Sequence, residues 1–172
     1  MIEFDISFMP WEATGSPTLV ALWDCSDIAY AAVVYAVWRG EGGETVDVRI
    51  IASKVKVSKD WDKSTPRQEL QGAVLASRLT AKIVESIHAK PKKVWFIGDS
   101  ETVLASREKW SGFFTEWFSN RIGETHDNQK RVEDHCKVGN NGEWWHIKGS
   151  LNPADQPTRL NSKPEDIAYG SA

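Results

Sequence analysis

Four acidic residues stand where a folded chain could gather them. Asp24 closes an apolar run, Leu19-Val20-Ala21-Leu22-Trp23. Glu69 opens a long helical pattern beside the core-facing Ala73 and Ala76. Asp99 follows Val94-Trp95-Phe96-Ile97-Gly98, and Asp155 follows Asn152-Pro153-Ala154 in the first turn of a last helical pattern. Taken singly, each has a structural explanation as a turn residue or as an acid complementing a helix dipole. Together they suggest chemistry, because strand ends and helix N-termini of a mixed α/β sheet converge on one crevice. Carboxylates crowded in one place repel and raise each other's pKa values, and hard divalent cations resolve that conflict. Mg²⁺ takes oxygen ligands and keeps waters and substrate phosphate oxygens. Two such ions, about 3.5–4 Å apart, activate a water and stabilise the leaving oxygen of a phosphodiester. No His or Cys cluster has zinc spacing, and no Gly-rich phosphate loop is present.

The elements that must position these acids follow from hydrophobic period. Residues 1–17, with Pro10 and Gly15-Ser16-Pro17, read as an N-terminal arm. Leu19–Asp24 reads as a strand, and Ile28–Trp38 as a strand apolar on both faces. Arg39–Glu44 is a turn. Thr45–Ser58 alternates, with a phase flip at Ile50-Ile51 that predicts a bulge. Thr65-Pro66-Arg67-Gln68 predicts a helix start with Thr65 as N-cap, and Leu70, Ala73, Val74, Ala76, Leu79, Ile83, Val84 and Ile87 form its apolar face. Lys92–Gly98 reads as a strand, and Ser100 caps a short helix to about Lys109. Phe113, Phe114, Trp117, Phe118 and Ile122 mark another helix. Residues 123–142 read as a polar loop or insertion, Glu143–Ile147 as the last strand, and Asn152-Pro153 as the opening of a final helix. The order βββ-α-β-α-α-β-α predicts a mixed sheet with the first strand central and helices on both faces.

Composition bounds the rest. The 172 residues are 41% hydrophobic and 26% charged, ordinary for one globular domain. No apolar run approaches the roughly 20 residues of a membrane helix, and the N-terminus lacks the basic-then-apolar layout of a secretory signal. Cys25 and Cys136 give no disulfide framework, which points to a reduced, intracellular setting. The net charge of −3 becomes +1 once four acids are assigned to metal, so charge leaves a nucleic-acid partner open. Most of the nine tryptophans should be core.

Four stretches carry a family resemblance. Asp24-Cys25-Ser26-Asp27-Ile28-Ala29-Tyr30-Ala31-Ala32-Val33-Val34-Tyr35 resembles the opening motif of retroelement ribonuclease H domains, and Thr65-Pro66-Arg67-Gln68-Glu69-Leu70-Gln71-Gly72-Ala73 resembles the Pro-Arg-x-Glu-Leu stretch of the BEL/Pao group of LTR retrotransposons. Phe96-Ile97-Gly98-Asp99-Ser100 and Trp145–Arg159 look like the third and fourth motifs. The resemblance covers about residues 18–160, which read as the domain, with 161–172 as a C-terminal tail. It implies a ribonuclease H-like α/β fold, a five-stranded mixed sheet in the order 3-2-1-4-5 flanked by helices on both faces. It implies Asp24, Glu69, Asp99 and Asp155 as catalytic metal ligands for two Mg²⁺, with Mn²⁺ as a substitute. The implied activity is endonucleolytic cleavage of the RNA strand of an RNA/DNA hybrid during reverse transcription, leaving 5′-phosphate and 3′-hydroxyl ends. An adjoining reverse transcriptase domain of a polyprotein and a cytoplasmic setting, in virus-like particles, are the implied context.

The chain also departs from the family. Ser150 follows Lys148-Gly149 where many members carry a loop His, and His146 reads as structural. Trp110-Ser111-Gly112 leaves no room for the basic helical protrusion of some cellular relatives. Hybrid must therefore be gripped elsewhere, by phosphate contacts and through its 2′-hydroxyls. Lys54, Lys56, Lys59, Lys63, Arg67, Lys148 and Arg159 are candidate phosphate contacts, and Ser26, Asp27 and Ser100, beside the acids, are candidates for 2′-hydroxyls. Arg159, four residues after Asp155, equally suits an ion pair with it. Two alternatives stay open: a domesticated or inactive module that binds nucleic acid or protein without cutting, and a transposase- or integrase-like nuclease on the same fold.

Overall fold

The computed structural model describes residues 15–58, 64–87, 90–109, 114–136 and 142–158, with the backbone alone at 156–158. Most of the N-terminal arm, Lys59, Lys63, Trp110-Ser111-Gly112, Arg159 and the C-terminal tail lie outside the described residues. Three strands come first, β1 (Thr18–Cys25), β2 (Ala29–Arg39) and β3 (Thr45–Val57). Helix α1 (Thr65–Ser86), strand β4 (Lys93–Gly98), helices α2 (Glu101–Glu108) and α3 (Glu116–Cys136) and strand β5 (Gly142–His146) follow. Two 3₁₀ turns, Gly149–Leu151 and Pro153–Thr158, close the described chain.

The five strands form one sheet in the order β3-β2-β1-β4-β5. β1, β2 and β3 pair antiparallel, while β4 runs parallel to β1 and β5 parallel to β4. The apolar phase flip in β3 is a bulge: Val34 faces Ala52 and Tyr35 faces Ile50, so Ile51 is the extra residue. One sheet face is packed by the helices, with Leu19, Ala21, Trp23, Val34, Val94 and Phe96 meeting Leu70, Ala73, Val74 and Val84 of α1. On the other face Ala154 of the second 3₁₀ turn is buried with Leu22 and Val33.

The structure corrects three expectations. Residues 123–136 are helical, because α3 continues through the polar stretch to Cys136. Its buried stripe is Ile122, Thr125, Asn128, Val132 and Cys136, and the polar Thr125 and Asn128 hide the helical period from an apolar count. The polar members are satisfied in place: Asn128 donates to Ser77 Oγ at 3.1 Å, and Thr125 donates to the Ile122 carbonyl at 2.7 Å. The N-cap of α1 is Ser64, not Thr65, and it makes no side-chain cap bond; Glu69 accordingly begins the second turn. The segment after Asn152 is a 3₁₀ turn within the described residues, although Asn152 does cap it, accepting the Ala154 N–H at 3.1 Å.

α1 and α3 run side by side in the same sense. Arg67 stacks on Trp117 at 5.0 Å, Arg78 pairs with Glu124, and Arg131 pairs with Glu85 at 2.7 Å, each step along one helix matched by a step along the other. α2 is tied in by Arg107, which lies 3.8 Å over the Trp144 ring and donates to Thr125 and to Gln129 at 2.6 Å. Burial pulls the Arg107 guanidinium down to about 10, so it stays charged at neutral pH. Among the described residues no helix is long and apolar enough to cross a membrane.

Candidate active site

The parallel register decides where two of the acids meet. Leu22 of β1 faces Ile97 of β4, the last pair of that register, and Asp24 and Asp99 each follow two residues later, at the same end of the two strands. Asp24 is buried, at 4% exposed. α1 brings Glu69 to the same strand end by passing very close to β1. A Cβ at Gly72 would lie 3.0 Å from Trp23 Cδ1 and 3.3 Å from the Asp24 carbonyl oxygen, so the approach is tight and favours glycine.

Cys25, the last residue of β1, directly follows Asp24. Burial, and then the negative charges of Asp24, Glu69, Asp99 and Asp27, push its thiol up to about 12. A thiol held neutral in this way is no nucleophile. Geometry links two of the acids: Ser100, the residue after Asp99, donates to Glu69 Oε2 at 2.7 Å.

Asp155 comes from the second 3₁₀ turn. Asn152 donates to the Trp23 carbonyl at 2.8 Å and the fully buried Ala154 seats against Leu22 and Val33. Side chains alternate along a strand, so Leu22 and Asp24 share a face, and this packing sets the turn over the face that carries Asp24. The loop before it also touches the site: a Cβ at Gly149 would stand 2.9 Å from Asp99 Oδ2. His146 Nε2 lies 3.2 Å from the Asp99 carbonyl oxygen, a backbone contact.

The hydroxyls and bases resolve differently. Ser26 Oγ accepts the Ala29 N–H and donates to the Ala29 carbonyl, each at 3.3 Å, stiffening the β1–β2 turn. Asp27 is exposed, and its carbonyl accepts from the buried Gln68 at 3.3 Å. Ser100 donates to Glu69 Oε2 at 2.7 Å and accepts the Val103 N–H at 3.1 Å. Lys148 is exposed at the head of the first 3₁₀ turn. Lys56 shares a cross-sheet row with Tyr30 and Cys25, two strand spacings or roughly 10 Å from β1.

Gln68 and Asn152, which the local spacing marks as capping residues, also hold distant backbone carbonyls, those of Asp27 and Trp23. Their partners lie 41 and 129 residues away, so local spacing carries no signal for them. The donor set is all carboxylate oxygen, which fits a hard divalent cation by chemistry. Among the described residues, no group of three or more His, Cys, Asp or Glu side chains is drawn together to hold a metal ion.

Solved structures similar to the chain include ribonuclease H1 of Halobacterium salinarum, at 12% identity over 79% of this chain and 88% of that one, with a TM-score of 0.37. An N-terminal ribonuclease H domain from Mycobacterium tuberculosis matches at 12% over 88% and 94%, TM-score 0.47. A foamy viral protease-reverse transcriptase, solved with double-stranded DNA, matches at 11% over 77% of this chain and 20% of that one, TM-score 0.48. No curated protein matches the sequence. The model of the Pao retrotransposon-like RNaseH-like domain matches residues 4–100, more than half of the 172, a span that includes Asp24, Glu69 and Asp99, and the chain belongs to that family.

Proposed function

We propose that the chain is an endoribonuclease that cuts the RNA strand of RNA/DNA hybrids, working beside the reverse transcriptase domain of a retrotransposon polyprotein. The observation that carries this reading is the 2.7 Å bond from Ser100, the residue after Asp99, to Glu69 Oε2, with the Asp155 turn packed over β1 through Asn152 and Ala154. When bound, two Mg²⁺ ions (or Mn²⁺) would supply Lewis acidity for activating water and for the leaving oxygen. Asp24, Glu69, Asp99 and Asp155 would hold them. Arg67 and Lys148, and Arg159 beyond the described residues, would bind phosphates. Arg67 suits that task because Trp117 supports one face of its guanidinium and leaves the N–H edge available. Lys54 and Lys56, exposed on β3, share the sheet face of Trp23 and Cys25, opposite Asp24, and are not among these phosphate contacts. Asp27, exposed on the turn beside Asp24, would meet the 2′-hydroxyls that distinguish RNA, while Ser26, its hydroxyl engaged at Ala29, would hold that turn.

A labelled hybrid, double-stranded DNA and double-stranded RNA, each incubated with Mg²⁺ or EDTA, test this. The expected result is metal-dependent cutting of hybrid alone, leaving 5′-phosphates, reduced at least 100-fold in Asp99→Asn. Cutting of duplex DNA, or hybrid cutting that survives Asp99→Asn, would overturn it. A second reading, a module that binds hybrid without cutting, draws on the lack of a drawn-up three-donor group among the described residues. Hybrid binding with no cleavage by the unaltered chain would select it.

A further inference from the structure

Ser100 follows Asp99 directly and is 4% exposed. A hydroxyl has one proton and two acceptor positions. The proton is given to Glu69 Oε2 at 2.7 Å, and one acceptor position takes the Val103 N–H at 3.1 Å. The second bond caps α2 and fixes the direction of the first, so the hydroxyl is not free to turn to another acceptor. Through it, a carboxylate on α1 is tied to the backbone position just after a carboxylate on β4, across 31 residues of sequence. A charge-assisted bond to one carboxylate oxygen leaves Oε1 as the donor available to a cation. It also resists the swing away from Asp99 that like charge favours.

We propose that Ser100 is a positioning residue that orients Glu69 for a divalent cation, and that it makes no contact with the 2′-hydroxyls of substrate. This rests on the metal-dependent reading above. Outer partners that fix a ligand's orientation typically change metal affinity about 10–100-fold when removed.

The test is titration of Mn²⁺ alone into the full chain, followed by calorimetry, with the melting temperature of each variant recorded. Ser100→Ala should weaken Mn²⁺ binding about 10-fold, and Ser100→Thr, which keeps the hydroxyl, should stay within about 3-fold of the unaltered chain. Ser100→Gly removes the hydroxyl at little cost to the cap, so it should lose Mn²⁺ affinity like Ser100→Ala even if Ser100→Ala folds poorly. In a Glu69→Gln background, removing the Ser100 hydroxyl should change Mn²⁺ affinity less than 2-fold, while the melting temperature falls as before. Equal losses in both backgrounds, or no loss in either, would overturn the proposal. So would weaker hybrid binding by Ser100→Gly in EDTA, which would restore Ser100 as a substrate contact. If the unaltered chain takes up no Mn²⁺, the metal-dependent reading itself fails, and the orienting role with it.

Discussion

The two faces of the sheet are built differently. Toward α1 and α3, Trp23, Val34 and Phe96 are at most 1% exposed. On the opposite face only part of the surface is covered among the described residues. There Ala154 seals Leu22 and Val33, but Ile50 and Val57 on β3 stay 58% and 79% exposed. The strand partners of those residues, Tyr35 and Ala29, place them on that face. By alternation, Asp24 belongs to the less covered face, two residues beyond Leu22. The helical side holds the fold, while the other side, open along β3, carries Asp24 in a covered position at 4% exposed. Glu69 is the exception, and the close passage at Gly72 brings it round from the helical side.

Four substitutions break or sharpen that contrast. Trp23→Ala, on the helical face, should cost about 3–5 kcal/mol in urea unfolding, as large-to-small changes in well-packed cores do. Ala154→Leu overfills the small contact on the other face and should cost about 1–3 kcal/mol. It should also reduce metal-dependent cleavage by displacing the Asp155 turn. Unchanged cleavage in a variant with a lowered melting temperature would show that the turn does not set Asp155.

Glu124→Gln tests the seam between α1 and α3 and should cost about 0.2–1 kcal/mol. Burial alone raises the Glu124 carboxyl, but hydrogen bonds and charge from Arg78 and Arg121 outweigh it and leave the value below the ordinary 4.5. Because the folded value is the lower one, this contribution is present above the ordinary carboxylate range and is lost as pH falls through it. Glu124→Gln should therefore flatten the acid limb of a stability–pH curve and leave the neutral region nearly parallel. Val57→Thr should move stability by no more than about 0.5 kcal/mol, and a larger loss would show that β3 is covered in solution.

Much of this arrangement was legible in the residues. Asp24 and Asp99 sit just past strand patterns and Glu69 and Asp155 near the start of helical ones, the phase flip at Ile50-Ile51 marks the bulge, and Ser100 is recognisable as the cap of α2. Legibility ended where partners are distant or polar. Thr125 and Asn128 lie on the buried side of α3 because Ser77 and Arg107 satisfy them, and those groups belong to other helices. Asn152 looks like a cap and is one, yet its bond to the Trp23 carbonyl, which anchors the Asp155 turn, depends on the assembled sheet. Short-range rules see the cap and miss the anchor.

The shared direction of α1 and α3 has an electrostatic result. Neighbouring helices in opposite senses largely cancel their dipoles, whereas two in the same sense add, each leaving about half a positive charge at its N-terminus. Both N-termini here lie at the end where Arg67 meets Trp117, close in sequence to Glu69. In a chain with a net charge of −3, the two N-termini thereby place partial positive charge at one end, an attraction for anions that Glu116 in the first turn of α3 offsets in part. That attraction comes partly from peptide groups, which no side-chain substitution can remove.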